Sequence, residues 1–591
     1  MDNSTTGITR SHLGLTLEQY IVAYRNTFLE PPNWFLDLQY EKVQADIKTV
    51  SEFGRDGLYD TPNLSISTLR SIMHYSYSPT GYQDLGSPEL ISGCIRIMSS
   101  ITMAGKEPFL SYEMGYICLH IVAIGLGACL FRRGQTQGVE INDASFEIPV
   151  MYKASHITSQ MVAELAAHLG GQQRDTYNCI LGWSACPEHQ RSQLVVSVAE
   201  AGTLLHLLYR ARHQFLRILQ STYLVGPSAV TFVLWRYVTY QRSMKNQQEV
   251  QGYFALLHDI FWRCWLVATP REQSSFESMY SWDSDLWPKL HDAPASTDKL
   301  QNSQVLIGAF IEHSAPAAGG ARRIILPVSL SNLMNVLSYV TNYFQPGCED
   351  LIAGYIHVTV EKMWYILSDK TKTDPLFGRA LGTSVFPAFC IILQLLRDPR
   401  WTNTAIALRV INATVEADLL DLIARTIFLL VPHAHIDRNS QIYRTNAHVL
   451  SGSTALYGQL TKLLPAQVMR KQFELYGSDW WKVTRHLGLL RQVALPGEHA
   501  TSEVRSFFYA LCLDSWGKVG KAICHTETEL SARFCHYARC PDPWVVVGVV
   551  HSCSNCSKVE YCSLRCQGMD WMHDHERRSH RALCTRYEEI N

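Results

Sequence analysis

Between Cys535 and Cys584 the chain sets seven cysteines and one histidine in four close pairs: Cys535 with Cys540, Cys553 with Cys556, Cys562 with Cys566, and His580 with Cys584. Thiolates and imidazoles are the ligands of structural zinc, which takes four of them in a tetrahedron, and a short spacing lets one chain reversal offer two donors to one ion. Eight donors make two closed sites, so two zinc ions are the expected cofactor. Cys553 and Cys556 suit a tight knuckle. Cys562 with Cys566, and His580 with Cys584, stand four apart, which places both donors of each pair on one helix face. The chain holds 17 cysteines, and every one of the seven in this segment belongs to a pair. A lone cysteine is ordinarily a small buried hydrophobe. That reading accounts for Cys94, Cys118, Cys129, Cys264 and Cys390, which sit in apolar runs, but not for a cluster of this density. In a reducing compartment such density points to metal rather than to disulfides.

The order of the pairs, together with Tyr561-Cys562-Ser563, Cys566-Gln567 and Trp571, resembles the MYND family of zinc fingers. The likeness covers Cys535 to Cys584 only. It implies that two sites interleave, with Cys535, Cys540, Cys562 and Cys566 on one zinc and Cys553, Cys556, His580 and Cys584 on the other. The first pair is C-x4-C where C-x2-C is commoner, a spacing similar to that of fungal members. Nine positions separate Trp571 from His580, more than the family usually has, and His575 falls among them as a rival ligand. Only His580 keeps the four-residue step to Cys584. The resemblance also implies a job, protein–protein interaction through a short proline-containing peptide of a partner, in a transcriptional or signalling adaptor. Gln567 and Trp571 match the positions that would touch the peptide. They lie one helical turn apart, so an amide and an indole would face the same way. The alternative for Trp571 is to fill the small core of the module.

Two other functions compete. Nucleic-acid binding needs clustered cations, yet residues 533–591 hold eight Lys or Arg against seven Asp or Glu, a net charge of 8 − 7 = +1. The whole chain has a formal net charge of −1. MYND fingers also accompany lysine methyltransferases, but the Asn-His-x-Cys-x-x-Asn run of that fold is missing here. Gly182-Trp183-Ser184-Ala185-Cys186 lacks the second glycine of a nucleophile elbow. Cys179, Cys186 and His189 lack a fourth ligand, Asp418 and Asp421 read as a solvated helix face, and Gly125-Leu126-Gly127 is too short for a dinucleotide fingerprint. No catalytic residue is assigned and no enzyme is expected.

The elements that carry the finger are helical. With 591 residues, 47% hydrophobic and 18% charged, the chain suits packed globular units and exceeds what one core usually serves. Apolar residues recur at three- and four-residue steps from Leu204 to Leu219 and from Ile411 to Leu422, each read as one amphipathic helix. Residues 253–267, 351–367, 386–396 and 449–464 are further helices. Gly134 to Asp143, Thr269 to Asn302 and Ala315 to Arg323 read as loops from their turn residues. Strand-like alternation is scarce before residue 540. The fold class is therefore mainly α: a large helical body over residues 1–530, α-solenoid-like or irregular, with a small finger over residues 535–584. The stretch from Gly115 to Phe131 carries no formal charge, and at 17 residues it is at the lower limit of a membrane span. Its His120 and three glycines favour a buried helix, and no membrane partner is expected. Met1 is not followed by a secretory signal pattern, so a cytoplasmic or nuclear protein with reduced thiols is expected.

Overall fold

The computed structural model of the chain describes residues 10–25, 40–55, 64–104, 107–136, 150–168, 176–184, 193–244, 247–282, 299–314, 330–368, 376–398, 404–432, 440–492, 501–523, 535–537, 540, 551–557, 559–572, 580–581 and 584. Among these residues helices dominate, and the single sheet is a two-stranded hairpin in the C-terminal segment. The chain forms two compact units, residues 1–313 with 324–332, and residues 314–323 with 333–591.

The first unit is built from α1 (Leu17–Ala23), α2 (Tyr40–Glu52), α3 (Ile66–Tyr75), α4 (Pro88–Ala104), α5 (Glu113–Thr136), α6 (Val150–His168), α7 (Val198–Arg210), α8 (Arg212–Ser221), α9 (Pro227–Met244), α10 (Gln247–Leu266) and α11 (Pro270–Trp282), joined by shorter turns. Helix α5 is apolar on all sides, and such a helix must be surrounded. It packs against α3, α4, α6 and α9. Its length and composition would suffice to cross a membrane, but 94% of its apolar window is buried inside the protein. Gly127 lets α6 approach: a Cβ there would lie 2.7 Å from Thr158 Oγ1. A solenoid needs each repeat to touch only its neighbours, whereas a helix ringed by four others is an irregular packing. At the start of α5, buried Glu113 gathers the N-terminal elements. It accepts from Arg70 Nε at 2.7 Å, from the Tyr24 hydroxyl at 2.6 Å and from the Leu15 N–H at 3.0 Å.

Three expectations change in this unit. The stripe from Leu204 to Leu219 is two helices, α7 and α8, which meet at buried Ala211. The segment from Thr269 is not a loop at its start, because Thr269 caps α11. The Thr269 N–H and hydroxyl both donate to Glu272 Oε2, at 3.0 and 2.9 Å, and Pro270 takes the first helical position, where its missing N–H costs nothing. Trp282 ends that helix and residues 299–302 open another, Lys299–Ser314. Gly134 likewise belongs to the last turn of α5, while residues 137–143 and 315–323 are outside the described set.

The second unit contains α12 (Glu349–Ser368), α13 (Phe386–Leu395), α14 (Thr404–Glu416), α15 (Leu419–Leu429), α16 (Gln441–Leu460), α17 (Gly477–Leu490) and α18 (Ser502–Ala522). These helices include three of the four further expected ones, at 351–367, 386–396 and 449–464, the last starting earlier at Gln441; the fourth, 253–267, lies in α10 of the first unit. Residues 377–395 form a second stretch long and apolar enough to cross a membrane, 50% buried and interrupted by a π-helical turn at Leu381–Val385. The apparent stripe from Ile411 to Leu422 is again two helices. Asp418 sits between α14 and α15 at φ 54°, in the left-handed region, and its carboxylate accepts from the Tyr476 hydroxyl. Asp418 and Asp421 are therefore not two turns of one solvated face: burial, with Asp479 and Asp418 nearby, raises the Asp421 carboxyl above its ordinary value. Helices α17 and α18 lock through a reciprocal pair. Trp480 Nε1 donates to the Trp516 carbonyl at 3.2 Å, and Trp516 Nε1 donates to the Trp480 carbonyl at 3.0 Å.

Candidate metal centre

The C-terminal module is built on the hairpin of β1 (His551–Ser552) and β2 (Glu560–Tyr561), antiparallel, with His551 opposite Tyr561. Its tip is the knuckle from Cys553 to Ser557. The Cys553 N–H donates to the Val559 carbonyl at 3.0 Å, and the Ser557 N–H returns to the Cys553 carbonyl at 2.9 Å. To close this turn, Ser557 takes φ 51°, a conformation that costs an L-residue energy. After β2 the chain enters α19 (Leu564–Met572), whose first turn is capped by Ser563: its Oγ accepts from the Cys566 N–H at 3.2 Å. Cys562 therefore lies at the strand–helix junction rather than on the helix, and only Cys566 is helical. His580 and Cys584 are both helical, as their spacing predicts.

These elements bring eight donors into two groups: Cys535, Cys540, Cys562 and Cys566, and Cys553, Cys556, His580 and Cys584. Within each group all ligand atoms lie within 4.8 Å of one another. In the first, Sγ of Cys540 is 3.4 Å from that of Cys562, Cys562 is 3.6 Å from Cys566, and Cys566 is 3.7 Å from Cys540. In the second, Cys553 and Cys584 are 3.8 Å apart, and Cys556 Sγ is 3.4 Å from His580 Nε2. A tetrahedron with Zn–S bonds of about 2.3 Å has S···S edges of about 3.8 Å, and a nitrogen ligand at about 2.0 Å shortens its edge to about 3.5 Å. The donor sets fit zinc on both chemistry and spacing. Disulfides, with sulfurs about 2.05 Å apart, do not fit these distances.

The surroundings suit closed sites. Cys535, Cys553, Cys566 and Cys584 are buried with Tyr561 and Val559, and half-buried Tyr537 and Trp571 pack against them. Burial pushes the Cys535 thiol up to about 12, so a metal must displace a proton to bind there. Burial lowers the pKa of His580, which keeps the imidazole neutral, the form that ligates. The Tyr561 hydroxyl donates to Asp570 Oδ2 at 2.9 Å and so ties β2 to α19. The Trp571 ring lies 6.0 Å from that of His580, and Gln567 Nε2 donates to the Ser552 carbonyl at 3.3 Å.

His575, Cys186 and His189 lie outside the described residues. Cys179 is buried at a short helix, Thr176–Leu181, which runs into Gly182, so no strand precedes Gly182-Trp183-Ser184 as a nucleophile elbow requires. Gly125 and Gly127 lie inside α5. One contact to the module escaped sequence reasoning: Arg485 of α17 donates to the His536 carbonyl at 3.2 Å. An arginine on a polar helix face carries no signal of a partner 51 residues away. Compared with protein-family models, with curated proteins and with solved structures, the chain has no match.

Proposed function

We propose that residues 535–584 are a MYND-type finger that mediates protein–protein interaction by holding a short proline-containing peptide of a partner, with residues 1–530 as the body that carries it. The observation that carries this reading is the interleaving of the two donor groups, with Gln567 placed on the outer edge of β1. Because the Cys553 N–H turns toward Val559, just before β2, the polar groups of Ser552 face away from β2. Gln567 meets the carbonyl there. An incoming extended peptide would add along that edge, and Gln567 would exchange the Ser552 carbonyl for peptide backbone. Trp571, one turn further, would pack a proline ring on the part of its indole that the module leaves uncovered. The body needs no chemistry of its own in this reading, and an adaptor in the cytoplasm or nucleus fits the reduced thiols that zinc requires.

The test is capture of displayed proline-containing peptides by the zinc-loaded full chain. Trp571→Ala is expected to abolish capture while zinc content stays unchanged. Gln567→Ala is expected to weaken it by about 1 kcal/mol, one hydrogen bond's worth. Capture should hardly change with salt, unlike phosphate binding. Loss of zinc in Trp571→Ala would make the indole a core residue and remove its recognition role.

A further inference from the structure

The finger's metal groups are held by local chain, and one side chain of the helical body reaches into that chain. Arg485 lies on α17, just over a turn beyond Trp480, whose indole is locked to α18. From this anchored helix its Nη2 donates to the carbonyl of His536 at 3.2 Å. The next links are short. His536 follows Cys535, a donor of the first group, and its own N–H donates to the Glu560 carbonyl of β2 at 2.7 Å. Two residues after Glu560 comes Cys562, a second donor of that group. Tyr561 between them is tied through its hydroxyl to Asp570 on α19, one turn beyond the donor Cys566. The Arg485 charge is felt at this far corner as well: burial raises the Asp570 carboxyl, while the Tyr561 hydroxyl, then Arg485, then His580 act against that rise. One guanidinium thus holds the carbonyl next to Cys535, and the bonds that follow from His536 and Tyr561 lead to the strand and helix that supply Cys562 and Cys566.

We infer that Arg485 is a positioning residue for the first zinc group, fixing Cys535, Cys562 and Cys566 against α17 so that this site holds its metal more firmly than the finger segment alone would. Arginine suits the task because its planar fork holds its donors in fixed directions, whereas lysine offers a compact point charge. The hydrogen bond of Arg485 ends on the residue that follows Cys535, so the first site should depend on α17 more than the second does. This inference goes beyond peptide recognition and does not rest on it, since the donor groups and the Arg485 hydrogen bond carry it.

Cobalt(II) loaded into the full chain provides the test, because an S4 and an S3N site absorb differently in the visible range. Release to excess EDTA is followed for each component. In Arg485→Ala the S4 component is expected to leave about tenfold faster, the effect of losing a hydrogen bond to a charged group. The S3N component should keep its rate, and the helical melting of the body its midpoint. Arg485→Lys should fall between. Equal release of the S4 component in wild type and Arg485→Ala would overturn the inference, as would equal acceleration of both components. Should Arg485→Ala lose helical signal, Arg485→Met decides. It keeps much of the apolar stem but has no donor for the His536 carbonyl, and an unchanged S4 release rate there overturns the inference as well.

Discussion

Acid should weaken the first unit through His120. This residue lies in the middle of α5, 2% exposed, with its ring 6.0 Å from that of Tyr116. Neither ring nitrogen has a hydrogen-bond partner among the described residues. Burial lowers its pKa from 6.5 to about 4, because a cation at this depth has neither water nor an acceptor to stabilise it. Above pH 6.5 the ring is neutral in the folded and unfolded chain alike, and there is no penalty. Between pH 6.5 and about 4 the unfolded chain takes up a proton that the folded chain refuses, so stability falls as pH falls. Below about 4 both forms are protonated and the loss is complete. At about 1.36 kcal/mol per pKa unit, the gap between 6.5 and about 4 corresponds to about 3 kcal/mol. The perturbation that isolates this term is His120→Phe, which keeps a ring beside Tyr116 and removes the titration. Hydrogen exchange of peptides from α5 reads its opening free energy at pH 7 and at pH 4, each corrected for intrinsic rates. The variant's advantage over wild type should grow by about 3 kcal/mol between those pH values. An advantage that does not vary with pH would mean that His120 is protonated or hydrated in the folded state, and the burial argument for α5 would fail with it.

Elemental analysis of the purified chain should give about two zinc ions per molecule, from two groups of four donors, and His580→Ala should bring this to about one. Chelation should unfold the finger while body helices persist in circular dichroism, since structural zinc supplies roughly 10–16 kcal/mol to modules of this kind. Ser557→Gly should stabilise the zinc-loaded finger by about 1 kcal/mol, as glycine adopts a positive φ freely; weaker zinc retention against a chelator would refute it. Gly520→Ala should cost about 1–3 kcal/mol in urea unfolding of the second unit, because the new Cβ would lie 2.4 Å from the Trp480 ring.

Much of the candidate site was legible because ligand spacing is a local property. A knuckle or a helical i, i+4 pair depends on a few neighbouring residues, so Cys553 with Cys556 and His580 with Cys584 could be paired before any fold was known. The mainly helical body was legible for a similar reason: periodic apolar residues mark a helix face wherever it packs. What periodicity does not mark is a break that preserves the stripe. Ala211 and Asp418 each interrupt a helix without disturbing the run of apolar residues, and Asp418 does so at a positive φ while its carboxylate takes up the Tyr476 hydroxyl. The start of α11 was present as Thr269-Pro270-Arg271-Glu272, a capping signature obscured by the Ser, Asp and Pro content of residues 274–298. Whether α5 is surrounded by protein or by lipid is absent from its own residues, since an all-apolar helix satisfies both. Its neighbours α3, α4, α6 and α9 decide that. The interleaved division of donors into two groups and the reach of Arg485 to His536 depend on how distant segments return to one another. Such long-range geometry comes from the packed chain as a whole, and no window of sequence contains it.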